Sequence, residues 1–588
     1  MRKLDFLPVT VEECQKLGWE ELDIIIVTGD AYVDHPAFGT AIIGRYLLAS
    51  GYRVGVIPQP DWKSDQDFLK LGSPRLFFGV TAGNMDSMVN HYTAQRKIRS
   101  TDAYSPEGKP GLRPDRATLV YTQKLKQIFK GVPVVLGGIE ASLRRIPHYD
   151  FWSDKVRNSV LLDSKADILI YGMGERGVLE VARRYAGRIE PDEMKDIPGT
   201  VVTTAVMPEG SFLLPDYERV ADPEQFLKMN REFQEYHLTT TLYQKSGLRY
   251  LRHNPPTRPL EGAELNMVYD LHYSRKPHPI YGKKAIPAFE QIKVSVTSHR
   301  GCLGGCHFCA LNYHQGKQIR SRSKDSILNE VTAISKKDYF RGTISDIGGP
   351  SANMYGMECR VTDCKRSSCL QPEICQRLDT DHSKYLQLLE GVRNLEGIQN
   401  VFIASGIRSD LALRSENFNR ELVKHYTGGR LKLAPEYKNN QVLRLMNKPE
   451  FSIFEEHLSL FNSLCKQYGM NYQVIPYIMV GHPGSSLRDA VDLALYLKEH
   501  NLKLKQVQEF TPTPMTVSSC MYYTGYDFYT GEKIEIPKGR EIRLQKALIQ
   551  WFMPENRKYV VEALRKAKKK EYITFFLDRA TPSKGRKH

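Results

Sequence analysis

Ser298-His299-Arg300-Gly301-Cys302-Leu303-Gly304-Gly305-Cys306-His307-Phe308-Cys309-Ala310 follows directly on the alternating run Ile292-Lys293-Val294-Ser295-Val296-Thr297. A period of two predicts a buried strand over 292–298. The three cysteines, spaced C-x3-C-x2-C, therefore stand on the loop that leaves this strand's C-terminal end. Barrel-type α/β enzymes place their chemistry at that end. Gly301, Gly304 and Gly305 give the loop the backbone freedom to wrap a bulky group and turn amides toward it. Three thiolates this close suit zinc or an iron–sulfur cluster. Structural zinc asks for a fourth ligand, and His299 or His307 is at hand. A cubane held by three cysteines leaves one iron open.

Downstream, strand and helix patterns alternate. Strands are predicted at 292–298, 343–347, 400–404, 430–434, 472–480 and 504–510, with amphipathic helices at 325–336, 383–395, 453–468 and 487–499 between them. Six such units make an open, partial (β/α)6 barrel over residues 289–537. Upstream, the apolar run Asp23-Ile24-Ile25-Ile26-Val27-Thr28-Gly29-Asp30 reads as a buried strand, followed by a helix over 39–50. Further strands at 53–57, 75–80, 132–136 and 167–171, with helices at 117–129 and 174–185, predict a doubly wound parallel sheet within an N-terminal domain, 1–210. Ligands of such sheets bind beyond the C-terminal strand ends. Those ends carry Asp30, Asp34 and His35, then Gly137-Gly138-Ile139-Glu140, then Gly172-Met173-Gly174-Glu175. No G-x-G-x-x-G follows a strand, which argues against a nicotinamide cofactor. Residues 211–288, broken by prolines at 255, 256, 259, 277 and 279, are expected to be a connecting region. His272, His278 and Tyr281 there are expected to pack or cap. Residues 538–580 read as C-terminal helices and 581–588 as a disordered tail.

The chain of 588 residues is long enough for two to four domains, and its 41% apolar and 26% charged content is that of a soluble globular protein. The N-terminus lacks an apolar signal core and no apolar run is long enough to span a bilayer, so a cytoplasmic protein with no membrane contact is expected. Seven of the ten cysteines fall in two tight groups, which in a reducing compartment points to metal rather than disulfides. Cys359, Cys364, Cys369 and Cys375 form the second group, a possible second site for zinc or another iron–sulfur cluster. Cys14, Cys465 and Cys520 read as ordinary buried thiols. Of the net charge of +16, residues 538–588 carry +10, from 15 Lys and Arg against 5 Asp and Glu. Such a segment is usually a solvated helix with a frayed end, and it admits RNA as a partner. A metal-stabilised, non-catalytic RNA-binding protein is the rival from another functional class.

The cysteine spacing, with Phe308 just before the last cysteine, resembles the signature of the radical S-adenosylmethionine (SAM) superfamily, whose fold is the partial barrel. The resemblance implies a 4Fe–4S cluster on Cys302, Cys306 and Cys309, with the open iron chelated by the amino and carboxylate groups of SAM. It also implies an external electron donor of flavodoxin or ferredoxin type. Gly348 and Gly349 match the superfamily's Gly-Gly-acid motif, with Pro350 in place of the acid. Ser405, Arg408 and Glu436, at the third and fourth strand ends, resemble the groups that hold the SAM ribose and carboxylate. Gly481 resembles the glycine of the adenine-side strand. Together with Asp346-Ile347-Gly348-Gly349-Pro350 and the strand 431–436, the chain is similar to the YgiQ-like family of radical SAM proteins over nearly its whole length. The N-terminal layout resembles the cobalamin-binding domain that precedes many such barrels. That family's pattern is D-x-H-x-x-G, and here Asp34 and Gly39 are in register while His35 falls one place early, which argues against cobalamin. The implied activity is reductive cleavage of SAM and use of the 5'-deoxyadenosyl radical on an unknown substrate; no catalytic side chain can be named.

Overall fold

The computed structural model describes residues 4–577, apart from 190–192, 360, 362, 363, 365 and 367. Its N-terminal unit is organised on Ile24–Thr28, all five residues of which are buried. This strand lies between two parallel neighbours, Val54–Pro58 and Phe77–Thr81, in the registers Ile24–Val54 and Ile24–Phe77. A run apolar on both faces fits a central strand covered by helices on both sides. The sheet continues in parallel through Val134–Leu136 and Ile168–Ile170.

It does not end there. Thr200–Thr204 joins antiparallel, followed by Arg249–His253, Leu242–Ser246 and finally Phe212–Leu214, so the sheet has nine strands. The expected boundary at 210 and the connecting region 211–288 are corrected accordingly: residues 212–253 belong to the sheet. Leu242-Tyr243-Gln244-Lys245-Ser246 and Arg249-Tyr250-Leu251-Arg252-His253 form a hairpin near a sheet edge, where polar and charged residues hide the period-two signal. His278 and Tyr281 pack and cap as expected. His278 Nδ1 accepts from Ile280 N and the ring stacks on Tyr32, whose backbone N donates to Tyr281 Oη at 2.8 Å.

Most of the barrel strands are shorter than their sequence patterns, whereas Arg430–Glu436 runs two residues past its predicted end at 434. The first is Ser295–Thr297, because Pro287 starts a helix that runs to Ile292. It pairs in parallel with Asp346–Gly348, and the adjoining Thr343–Ile344 pairs with Asn400–Val401. A parallel bridge between Ile407 and Leu433 leads to Arg430–Glu436, which pairs with Gln473–Val480, which pairs with Gln508–Glu509. Among the described residues no pairing joins the sixth strand to the first, so the barrel is open. The helix Leu487–Glu499 starts on a capping box of Ser486 and Asp489.

The basic C-terminal segment is more than a solvated appendage. Helix Arg540–Ile549 packs on Leu487–Glu499 and on Arg557–Lys566. Leu548, Val560, Ala563 and Leu564 are fully buried, while Arg540 and Lys566 both meet Glu562. Phe576, 4% exposed, packs against Trp551. The expected tail 581–588 lies outside the described residues. No helix among the described residues is long and apolar enough to cross a membrane.

Candidate metal centre

The cysteine loop is closed at its base like a hairpin. His299 and Arg300 pair with Ser321 and Arg320, and Ser298 N donates to Gly348 O at 2.8 Å, fastening the loop to the second strand. Gly301 has φ +85°, and a Cβ there would collide with the Gln318 carbonyl, so only glycine lets the chain turn into Cys302. Cys302 N then reaches Gly316 O, and Cys309 N closes a turn on Cys306 O.

All three thiols are partly exposed at the residue level and lie within electrostatic reach of one another. Burial, then the neighbouring Cys306, push the Cys309 thiol up to about 12. Burial raises Cys302 too, against the pull of Arg408 and Lys448. Among the described residues no three His, Cys, Asp or Glu side chains converge to hold a single metal ion. A cubane takes each thiolate on a different iron, so its ligands ring a volume instead of meeting at a point. At Gly304 the loop draws two of the three sulfurs and a guanidinium close together. A Cβ there would sit 2.9 Å from Arg408 Nη1, 3.5 Å from Cys302 Sγ and 3.6 Å from Cys306 Sγ. Soft donors that do not converge on one point fit an iron–sulfur cluster better than one ion. His307 is not available as a fourth ligand, since Nδ1 faces Leu445 O and Nε2 faces Tyr529 Oη.

Arg408 stands beside these sulfurs. Its Nη1 is 3.6 Å from Cys306 Sγ, while Nε and Nη2 hold Asp410 at 3.0 and 2.5 Å. Glu436 lies nearby at φ +67°, 7% exposed, with Oε1 3.9 Å from Lys448 Nζ and Oε2 without a partner. Burial raises its carboxyl, opposed by Lys448 and Arg408. Gly348 and Gly349 come against the loop from the second strand. A Cβ on Gly349 would meet His299 Cε1 and Nε2 at 2.7 Å, and one on Gly348 would collide with Ser405 Oγ. Ser405 is already committed, donating through Oγ and N to Asp346. Gly481 is not part of this group: its N–H goes to Gln545 Oε1 at 2.9 Å and its Cα faces Ile542 of the C-terminal helix.

A cavity of about 550 Å3 opens between the N-terminal sheet and the first two barrel strands, reaching His299, Arg300, Gly348 and Gly349. Arg300 Nη1 binds Glu175 Oε1 at 2.7 Å across it. Asp34 and His35 do not enter it. Asp34 is fully buried against Arg45, and His35 has Nδ1 accepting from Ala37 N and Nε2 at 3.0 Å from Arg275.

The second cysteine group docks on the back of the same loop. Cys369 N donates to Leu303 O at 3.1 Å, Ser368 Oγ donates to Gly304 O at 2.9 Å, and Cys375 N donates to Cys369 O. Cys369 is buried and Cys359 exposed, with Cys364 and Cys375 between.

A family model described as Radical SAM N-terminal matches residues 6–295, and one described as a domain of unknown function, DUF3362, matches 505–582. A UPF0313 protein of Geobacter sulfurreducens is 51% identical over 575 residues, 96% of this chain and 95% of that protein. The chain belongs to the UPF0313 family of radical SAM enzymes. A relative from Thermotoga maritima is 48% identical over 92% of this chain and 97% of its own. Among solved structures, the radical SAM methyltransferase TsrM of Kitasatospora setae, with tryptophan and a SAM analogue bound, is similar at TM-score 0.49 and 13% identity, covering 91% of this chain and 89% of that one. The cobalamin-dependent radical SAM enzyme OxsB, with aqua-cobalamin bound, is similar at TM-score 0.46 and 10% identity, covering 93% of this chain and 62% of that one. Likenesses this distant do not bear on the ligands of this chain.

Membership of a radical SAM family implies a 4Fe–4S cluster and SAM. Within this UPF0313 chain the structure brings together Cys302, Cys306, Cys309, Gly348, Gly349, Arg408 and Glu436. Sequence reasoning missed Asp410 and Lys448. Asp410, two residues after Arg408, was findable as a charge partner; Lys448 comes from a separate helix end and carried no signal.

Proposed function

We propose that Cys302, Cys306 and Cys309 hold the 4Fe–4S cluster and that SAM binds between Gly348–Gly349, Arg408 and Glu436, for reductive cleavage and use of the 5'-deoxyadenosyl radical on an unidentified substrate. When bound, the cluster and SAM supply the 5'-deoxyadenosyl radical chemistry. The observation that carries the reading is the gathering of Cys302 Sγ, Cys306 Sγ and the Arg408 guanidinium around Gly304. Arg408 offsets thiolate charge in a buried setting, and Asp410 fixes its direction. Glu436 keeps one carboxylate oxygen free to accept from a ribose hydroxyl or an ammonium group. Gly348 and Gly349 present backbone where any side chain would collide with Ser405 or His299. Asp346 ties the second strand to the third through Ala404 N and Ser405 N, and so stands in for the organising acid missing at Pro350.

Cobalamin is not among the proposed cofactors. The second cysteine group is assigned a second iron–sulfur cluster in preference to zinc, supported by its attachment to Leu303 and Gly304 of the first loop. A flavodoxin- or ferredoxin-type donor in the cytoplasm supplies the electron. RNA is not favoured as a partner, since Phe576, one of the aromatic residues beside the lysine run, is buried against Trp551.

The test is anaerobic reconstitution followed by iron quantitation, electron paramagnetic resonance and assay of 5'-deoxyadenosine with and without reductant. Cys302→Ala, Cys306→Ala and Cys309→Ala should each abolish the SAM-binding cluster and the product. A cluster signal unchanged in all three would refute the assignment.

A further inference from the structure

The 550 Å3 cavity extends far beyond the cysteine loop. Ile24, Ile26, Phe77, Gly79, Val135 and Ile170 line it from one face of adjacent strands of the N-terminal sheet, and Ile43 and Val178 line it from the covering helices Gly39–Ala49 and Glu175–Ala186. The result is an apolar slot with its mouth at the barrel. Gly79 keeps the slot open. It does not have a positive φ, and a Cβ there would find its nearest neighbour, Ile26 Cγ1, at 3.8 Å. Neither backbone conformation nor close packing demands glycine in this buried strand, where glycine weakens the ladder. What its absence of side chain provides is space.

The mouth is polar in a specific way. Glu175 Oε2, His299 Nε2 and Arg300 Nη2 have no hydrogen-bond partner, although their residues are 1%, 1% and 6% exposed. Buried polar atoms in folded proteins call for a partner, and three that line one cavity are placed to meet a single ligand. Glu175 and Arg300 are paired through their other atoms, so together they offer one acceptor and one donor side by side, with no net charge. A carboxamide carries the complementary donor and acceptor.

We infer that this cavity is the substrate site and takes a small uncharged molecule with a flat apolar body, seated over Gly79, and a carboxamide-like head, held by Glu175 and Arg300. The assignment as substrate rests on the radical SAM reading. The head lies at Arg300, two residues before Cys302, beside Gly348 and Gly349 where SAM is proposed to bind. An apolar body supplies affinity by burial, and the paired donor and acceptor supply orientation.

The test is fluorescence titration of the reconstituted full chain with 2-naphthamide, set against naphthalene, acetamide and cobalamin. 2-Naphthamide should bind saturably, and naphthalene and acetamide at least tenfold more weakly. Gly79→Leu and Ile43→Phe, two independent ways to fill the slot, should each weaken 2-naphthamide at least tenfold. Glu175→Gln should weaken 2-naphthamide but not naphthalene. Melting temperature and iron content verify that each variant is folded and loaded. Absence of 2-naphthamide binding, equal binding by Gly79→Leu and Ile43→Phe, or displacement of 2-naphthamide by cobalamin would overturn the inference. The cluster signal and 5'-deoxyadenosine are measured in the same preparations. SAM cleavage without probe binding sinks the cavity assignment alone, whereas slot-dependent binding without SAM cleavage sinks the radical reading and leaves a ligand site.

Discussion

Arg408→Met separates a structural from a functional role for the guanidinium beside Cys306. Arg408 is 7% exposed and Asp410 8%, and they share two hydrogen bonds. Methionine keeps much of the stem but leaves Asp410 buried, with Lys448 as the remaining cation that acts on it. Removing one partner of a buried ion pair costs about 3–5 kcal/mol, and Lys448 places this case at the low end, about 3 kcal/mol. The sulfur side is estimated separately. A unit charge 3.6 Å from Cys306 Sγ is worth about 4–5 kcal/mol at an effective dielectric of 20, much of it cancelled by Asp410 behind it. A net loss of ~1–2 kcal/mol remains, about tenfold in iron retention. Urea unfolding of the apo-protein reads the first quantity, and chelator competition on the reconstituted protein reads the second. The double variant Arg408→Met/Asp410→Leu should recover most of the stability, because replacing both members of a buried pair by apolar groups is often neutral. It should not recover iron retention. If the double variant restores both, Arg408 serves only Asp410; if the single variant loses less than ~1 kcal/mol, the buried-pair argument itself fails.

The second cysteine group predicts that a Cys302, Cys306 and Cys309 triple-Ala variant still retains metal. Elemental analysis should find iron; zinc would change the metal assigned, and neither would remove the site. A chain ending after Leu577 should match the full-length melting curve, whereas one ending after Arg565 loses the buried Ala567 and Phe576 and should be about 3–5 kcal/mol less stable. In the apo-protein at pH 8, exposed Cys359 should react with iodoacetamide while Cys309 resists. With its thiol pushed up to about 12, Cys309 is only about one part in ten thousand thiolate at that pH. Mass spectrometry after brief alkylation decides this, and rapid labelling of Cys309 would contradict the burial argument.

The long periodic elements were legible from the chain because burial on one face writes a period into the sequence. The helix Leu487–Glu499 ends where its pattern ends, and Ile24–Thr28 is a continuous apolar run because helices cover both faces of its sheet. The strands within 212–253 were hidden, since Arg249-Tyr250-Leu251-Arg252-His253 carries polar residues even where it is buried, as at His253. The role of the C-terminal helices was misjudged for the opposite reason. Lysine and arginine dominate the composition there, while the few residues that dock, such as Val560, Leu564 and Phe576, are spaced among them.

What the sequence determined by itself was the chemistry: three thiols at a spacing that a single glycine-rich loop brings together, on the end of a strand. Local spacing suffices there because the ligands are seven residues apart at most. Tertiary structure alone decided everything assembled across long separations. It set Arg408 over Cys306 and Glu175 against Arg300, 102 and 125 residues apart, and left Gly481 facing Gln545. It also opened the slot over Gly79. Neither a buried ion pair nor an empty volume has a sequence period, because each depends on which surfaces the packed sheets bring face to face.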